Sequence, residues 1–343
     1  MNGFDRMEMA FLHKEADRVP IAEVEIDINV IKKIYPKAEF QSDFEEAFDF
    51  DCVMTYDHYK TIWKEGRYIK DEWGITYQLN GEETPHPVMG PLQEEDCFDL
   101  TRFSVPDVKA TERLGRVPEL VKKYKGTKYI GMWMRAFFLW ATHIVGFENL
   151  LMYMHTEPSF VKELFDKILE GQIKLAEIAI EAGVDMIVET DDYAYNRGPF
   201  ISMDMFDTFI TPRMKKFNEA VHAKGAKLVK HTDGMIMELL PKFIECGADG
   251  HQSIDPIAGM DLAIVKEKFG DKLTLWGNID CANLMCFGTP DMVDAAVSQC
   301  MKAAAKGGGY IFGTCNSIVR DTKPENYLRM IKCAKKYGKY PIL

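Results

Sequence analysis

The chain has 343 residues, 47% of them hydrophobic, enough for one large domain or two smaller ones around a well-buried core. Its formal net charge of −11 argues against a nucleic acid or an acidic membrane surface as partner, because polyanions attract basic surfaces. The opening "MNGFDRMEMAFLHKEADRVP" carries acids and no continuous apolar stretch, so it does not read as a secretory signal, and no apolar run nears the roughly 18 residues that span a bilayer. The expectation is a soluble, cytoplasmic protein. Its eight cysteines show no C-x-x-C pair and no disulfide spacing, so most read as small core residues.

Short β-rich runs alternate with longer helical patterns. The first run is "PIAEVEID" (20–27) and the second "DCVMTYD" (51–57). An insert at about 60–110, including "GRYIKDEWGITYQLNGEE", alternates like a β-hairpin that decorates one rim. Next come "KYIGMWMR" (128–135), an amphipathic helix over 158–183 that stops at Gly183, and "DMIVET" (185–190). "AKLVKH" (226–231) runs into an amphipathic helical pattern. "DGHQSID" (249–255), "LTLWGNID" (273–280), a helix over 290–308 ending in a glycine run, and "GYIFGTC" (309–315) complete the series.

Eight strands with intervening helices predict an α/β fold, a (β/α)8 barrel formed by one domain over residues 1–343 with the 60–110 insertion. The alternative, a doubly wound open sheet, usually carries a glycine-rich phosphate loop, and neither G-x-G-x-x-G nor G-x-x-x-x-G-K-[ST] occurs here. A barrel places its chemistry at the C-terminal strand ends. Those ends offer Glu25 and Asp27, Asp57, Arg135, Glu189 with Asp191 and Asp192, and His231 with Asp233. They continue with Gln252 and Asp255, Asn278 and Asp280, and Cys315 with Asn316. Burying so many polar groups unpaired would cost about 1–3 kcal/mol each, so a pocket holding metal, substrate and water is the natural resolution.

His231, Asp233, Glu189 and Cys315 combine nitrogen, oxygen and thiolate donors suited to Zn²⁺, with an open position for Lewis-acid chemistry. Each has a bland alternative. Asp233 in "TDG" could be a helix cap or turn residue, His231 a core histidine, Cys315 packing, and Glu189 or Asp191 a partner of Arg135 or Arg197. Asp280 in "GNID" could cap the following turn.

At these residues the chain resembles the uroporphyrinogen decarboxylase superfamily, over most of its length. The resemblance is carried by "DRVPI", "DEWG", "GFENLLMYMHTEP", "HTDG", "WGNID" and "GTCNSIVRDTKPENY". It implies a TIM barrel and one of two chemistries: cofactor-free decarboxylation of uroporphyrinogen, or zinc-dependent methyl transfer with a corrinoid protein. Three departures favour the methyltransferases. The "RQAGR"-type arginine motif of decarboxylases is missing, and Glu23, Glu25 and Asp27 stand in "PIAEVEIDIN" instead. Cys315 falls where decarboxylases carry the histidine of "LGHGI". His231-x-Asp233…Cys315 stands where the methyltransferases show H-x-C…C, with a carboxylate in place of one thiol. Asp57 resembles a decarboxylase aspartate and keeps that chemistry as the alternative.

The resemblance therefore implies Zn²⁺ held by His231, Cys315, Asp233 and Glu189, with Glu189, Asp191 and Asp57 as catalytic groups. Arg135, Tyr193, Asn278 and Asp280 are the expected substrate contacts, and Trp133, Phe137, Tyr193 and Trp276 could sandwich an aryl group. The substrate is a methyl ether, as in O-demethylase systems, or a thiol. A corrinoid-carrying domain would show D-x-H-x-x-G, and Asp249-x-His251 is followed by Ile254 where glycine is required. The corrinoid then belongs to a separate, transiently docked protein.

Overall fold

A computed structural model describes residues 1–79, 85–93, 97–109 and 111–342 of the chain. In chain order its strands are β1 (Cys52–Tyr56), β2 (Thr61–Glu65), β3 (Tyr68–Asp71), β4 (Thr76–Gln78), β5 (His86–Met89), β6 (Tyr129–Met134), β7 (Met186–Glu189), β8 (Ala194–Tyr195), β9 (Gly198–Pro199), β10 (Lys227–His231), β11 (Gly250–Ser253), β12 (Thr274–Gly277) and β13 (Tyr310–Ile311). Seven of them form one curled parallel sheet in the order β1-β6-β7-β10-β11-β12-β13. Helices such as Pro158–Glu181 and Pro290–Cys300 run between successive strands, each opened by proline at its first turn, where a missing N–H costs nothing.

The predicted run 20–27 is not a regular strand. It touches the sheet through single bridges, Ile21 to Phe312 and Ile26 to Ile318. Pro20 interrupts it as a donor, yet it spans the gap between the sheet's two edges. The Ala22 N–H donates to Phe312 O at 3.0 Å on one side, and the Asp51 N–H donates to Ile21 O at 2.9 Å on the other. A buried carboxylate locks this junction: Asp51 accepts from the Ile21 N–H at 2.7 Å, from Arg18 at 2.5 Å and from Arg6 at 3.0 Å. The "DRVPI" segment thus supplies the arginine and the strand-like residues that draw the two edges together.

Where the sequence suggests one hairpin, four strands form an antiparallel sheet, β2-β3-β4-β5. Residues 80–83 of the quoted stretch lie outside the described residues. The "DEWG" turn organises this sheet. Asp71 accepts from the backbone N–H of Trp73 at 2.9 Å and of Ile75 at 3.0 Å, and from the Tyr77 hydroxyl at 2.8 Å. Trp73 in turn stacks on Trp140, ring centroids 4.4 Å apart, and so anchors the sheet to the barrel.

Side chains along the parallel strands alternate between two cores, as the period of two demands. Cys52, Met54, Tyr129, Met186, Val188, Val229, Trp276 and Ile311 form one apolar cluster inside the ring. Val53, Ile130, Met132, Ile187, Leu228, Leu275 and Tyr310 join the larger cluster under the helices. This parity decides which strand-end residues reach the mouth of the barrel. Among the described residues no helix is long and apolar enough to cross a membrane.

Candidate metal centre

Counting on from the inner positions Trp133, Val188 and Val229, the next inward residues are Arg135, Thr190 with Asp192, and His231. All four line a pocket of about 230 Å³ at the strand ends, with Val24, Leu139, Asp233, Gln252, Asn316 and Ser317. A second cavity of about 390 Å³ adjoins it, sharing Val24 and Trp133 and walled by Glu25, Asp27, Glu39, Phe40, Tyr56, His58 and Arg116.

Inside the first pocket Asp192, His231 and Asp233 bring one donor atom each within 4.8 Å of one another, the metal-competent trio found among the described residues. His231 Nε2 lies 3.8 Å from Asp192 Oδ1 and 3.8 Å from Asp233 Oδ1. The other ring nitrogen, Nδ1, hydrogen-bonds Gln252 Oε1. Gln252 cannot be turned round, because its amide N–H donates to Thr314 O at 3.1 Å and to Cys315 O at 3.5 Å. An acceptor at Nδ1 makes that nitrogen the protonated one and leaves the Nε2 lone pair facing the two carboxylates, the tautomer a metal requires.

The "TDG" aspartate is neither a helix cap nor spare. The helix predicted to follow it begins only at Leu240–Glu245. Asp233 accepts from the Ser253 hydroxyl at 2.9 Å and from the Asn316 side-chain amide. Ser253 has φ +123°, which breaks the strand alternation and turns its hydroxyl to the mouth. Gly234 is required beside it: φ is +90°, and a Cβ there would meet Tyr195 O at 2.6 Å. Asp192 differs, since its buried Oδ1 has no hydrogen-bond partner among the described residues. Burial, then the Asp233 carboxylate, push the Asp192 carboxyl upward against the pull of His231. An imidazole lone pair and two converging carboxylates, one unsatisfied, fit a divalent cation with N/O ligation.

The remaining sequence-derived candidates are distributed elsewhere. Glu189 has outward parity and is buried against Lys230, Oε2 to Nζ 2.9 Å, while its Oε1 accepts from the Asp191 N–H at 2.8 Å. Burial raises the Glu189 carboxyl to about 8, with Lys230 opposing. Asp191 caps the helix Phe138–Val145, accepting from the N–H groups of Phe137 at 2.8 Å, Phe138 at 2.7 Å and Leu139 at 3.1 Å. Tyr193 is buried between Phe138 and Phe206. Asp280 caps its own turn through the N–H groups of Ala282 and Asn283. Asn278 holds Ile254 O at 2.7 Å and faces a different cavity, beside Cys300 and Met260. Asp57 is inaccessible at Oδ2, which has no hydrogen-bond partner among the described residues, and burial pushes its carboxyl up.

Cys315 lies behind Gln252, and its thiol meets the Cys281 thiol at 3.8 Å. That contact and burial push it far above the usual thiol range. Asp192, Gln252 and Lys230 are the residues whose roles sequence reasoning missed. For the first two the signal was present: they share inward parity with His231 on neighbouring strands. Trp133 lines both cavities, whereas Trp276 is fully buried with its indole N–H on Ala22 O at 3.0 Å.

A parallel barrel with a polar, metal-competent pocket at the C-terminal strand ends defines an α/β-barrel enzyme. The chain belongs to the uroporphyrinogen decarboxylase (URO-D) family, whose model matches residues 68–337. It is 23% identical over 311 residues to the uroporphyrinogen decarboxylase of Methylococcus capsulatus, covering 85% of this chain and 81% of that one. It is 24% identical over 222 residues to the methylated-thiol–coenzyme M methyltransferase of Methanosarcina mazei, covering 65% of this chain and 57% of that protein. A solved structure described as a methyltransferase from Methanosarcina mazei shares the fold, with TM-score 0.77 and 19% identity over 98% of this chain and 99% of that one.

Proposed function

We propose that this chain is a zinc-dependent methyltransferase that moves a methyl group between a small substrate and a corrinoid carried by a separate protein. The observation that carries the reading is the Asp192–His231–Asp233 trio, with its unsatisfied carboxylate oxygen and its histidine held in the metal-binding tautomer. Both methyltransferase relatives are consistent with it. Zn²⁺ there would supply Lewis-acid chemistry, polarising an ether oxygen or favouring the thiolate form of a thiol. His231, Asp192 and Asp233 hold the cation. Gln252 and Asn316 fix the ring and one carboxylate in place. Val24, Trp133 and Leu139 give the reacting methyl an apolar wall and limit water. The corrinoid protein docks over the open mouth, since nothing in this chain carries its own corrinoid motif.

The test is elemental analysis of purified protein, followed by methyl exchange between methylcobalamin and a thiol or methoxyarene panel. Near-stoichiometric zinc and transfer abolished by a chelator and by His231→Ala support the reading. Transfer by metal-free protein sinks it.

One observation favours a second reading, decarboxylation: Asp57, at the C-terminal end of β1, keeps a buried carboxylate oxygen with no hydrogen-bond partner among the described residues. Its weakness is electrostatic. The larger cavity presents Glu25, Asp27 and Glu39 against Arg116, which is already paired with Glu119 at 2.5 Å, and polycarboxylates require cationic clamps. Porphyrin formation from uroporphyrinogen by chelated protein would establish it.

A further inference from the structure

Arg135 is unlike the other strand-end side chains. It faces inward two residues beyond Trp133, lines the same pocket as Asp192, His231 and Asp233, and lies over the Trp140 ring at 4.8 Å from the centroid. Among the described residues its guanidinium makes no hydrogen bond or ion pair. Arg6, Arg18, Arg113, Arg116, Arg213 and Arg329, by contrast, each pair with a carboxylate. Glu25, Asp57 and Asp71 lie within reach of its field but none is bonded to it.

A guanidinium offers five N–H donors in a rigid fork and no acceptor, so a pocket that leaves the whole fork unengaged is shaped for an outside oxyanion. The cation–π contact with Trp140 holds the guanidinium without consuming its donors. Charge balance does not oppose this. A divalent cation on Asp192 and Asp233 would be neutralised by them, and the carboxylates that Arg135 feels, Glu25, Asp57 and Asp71, are not bonded to its donors.

We propose that Arg135 is the specificity-determining residue for the small substrate, and that this substrate bears a carboxylate, held bidentately by Arg135 while its heteroatom lies at the Asp192–His231–Asp233 trio. The assignment rests on the metal-site reading above. One free arginine matches one carboxylate, which separates this substrate class from a polycarboxylate macrocycle. The two sub-sites share one pocket of about 230 Å³, so the substrate is a compact acid that can extend past Trp133 into the adjoining cavity.

The experiment compares acids with their isosteric neutral amides on the zinc-loaded protein by calorimetry: 3-mercaptopropionate against 3-mercaptopropanamide, and 3-methoxybenzoate against 3-methoxybenzamide. At least one acid binds about 10-fold or more tightly than its amide, the scale of a charge-assisted bidentate pair. Arg135→Gln brings that ratio close to one and Arg135→Lys retains part of it, while both keep wild-type zinc content and unfolding midpoint. The wild-type ratio stands without any variant. Absence of acid preference in both pairs overturns the assignment, as does a preference that survives Arg135→Gln. Methyl transfer measured on the same preparations separates the two readings. Transfer with no acid preference removes the carboxylate subsite alone, and acid preference without zinc uptake or transfer removes the methyltransferase reading and leaves the subsite.

Discussion

Two groups of polar side chains leave the same ends of β7 and β10 and meet opposite fates. On the outer face Glu189, Asp191 and Lys230 close on themselves. Lys230 binds Glu189 and the carbonyl of Asp191, Asp191 binds three backbone N–H groups, and little capacity is left over. On the inner face Asp192 keeps an empty oxygen, His231 a directed lone pair and Arg135 an unengaged fork. The sequence places acids and bases at alternating positions of one short stretch, and the pleat sorts them into scaffold and site. Polarity that the fold needs is satisfied internally, and polarity left open at the mouth marks where a ligand belongs.

The comparison makes predictions of decreasing size. His231→Ala should weaken zinc binding by at least about 100-fold, read by competition with a chelating dye, with the fold intact by circular dichroism. Lys230→Met should do the reverse, costing about 3–5 kcal/mol in urea unfolding because it leaves the buried Glu189 carboxyl without its partner, and Lys230→Met with Glu189→Met together should recover most of it. A large stability loss in the first variant, or none in the second, would erase the distinction between the two faces. Gln252→Leu should lower zinc affinity about 10-fold by freeing the imidazole to change tautomer.

A last effect, spread over several pH units, concerns acids that lie away from both faces. Glu23 and Glu45 are buried and, among the described residues, neither makes an ion pair; burial pushes each carboxyl up to about 8. A proton is then held more tightly in the folded state than in the unfolded one. Their contribution to stability is fully present below about pH 4.5 and is lost as pH rises through about 8, at no more than about 1.4 kcal/mol per pH unit and group. Unfolding free energies measured from pH 5 to 8 should fall, and Glu45→Gln should flatten the decline.

Much of the barrel was legible because short β-rich runs such as "DCVMTYD" and "DMIVET" meet their structural bounds within a residue or two. The segment 20–27 was legible in place but not in form, since its regularity is lost to Pro20 and its pairing depends on Asp51, which no local pattern reveals. In the site, His231 and Asp233 could be read from "HTDG". Glu189 and Asp191 drew attention over Asp192 because strand-end position was weighed without counting which way each residue faces. The Cys315–Cys281 contact joins two distant loops, and the alternation along either strand carries no signal of it. Arg135 was visible as a strand-end arginine, but its lack of a partner is a property of three dimensions.

The tie between Ile21 and Phe312 has a consequence for how the chain acquires its shape. Residues far apart in the sequence must meet before the ring is complete, and such distant pairings are the slowest to form because the entropy of closing the loop is met before the contact rewards it. Until that pairing forms, the parallel strands are an open sheet with an exposed edge, and the contact between residues 21 and 312 is what shields it.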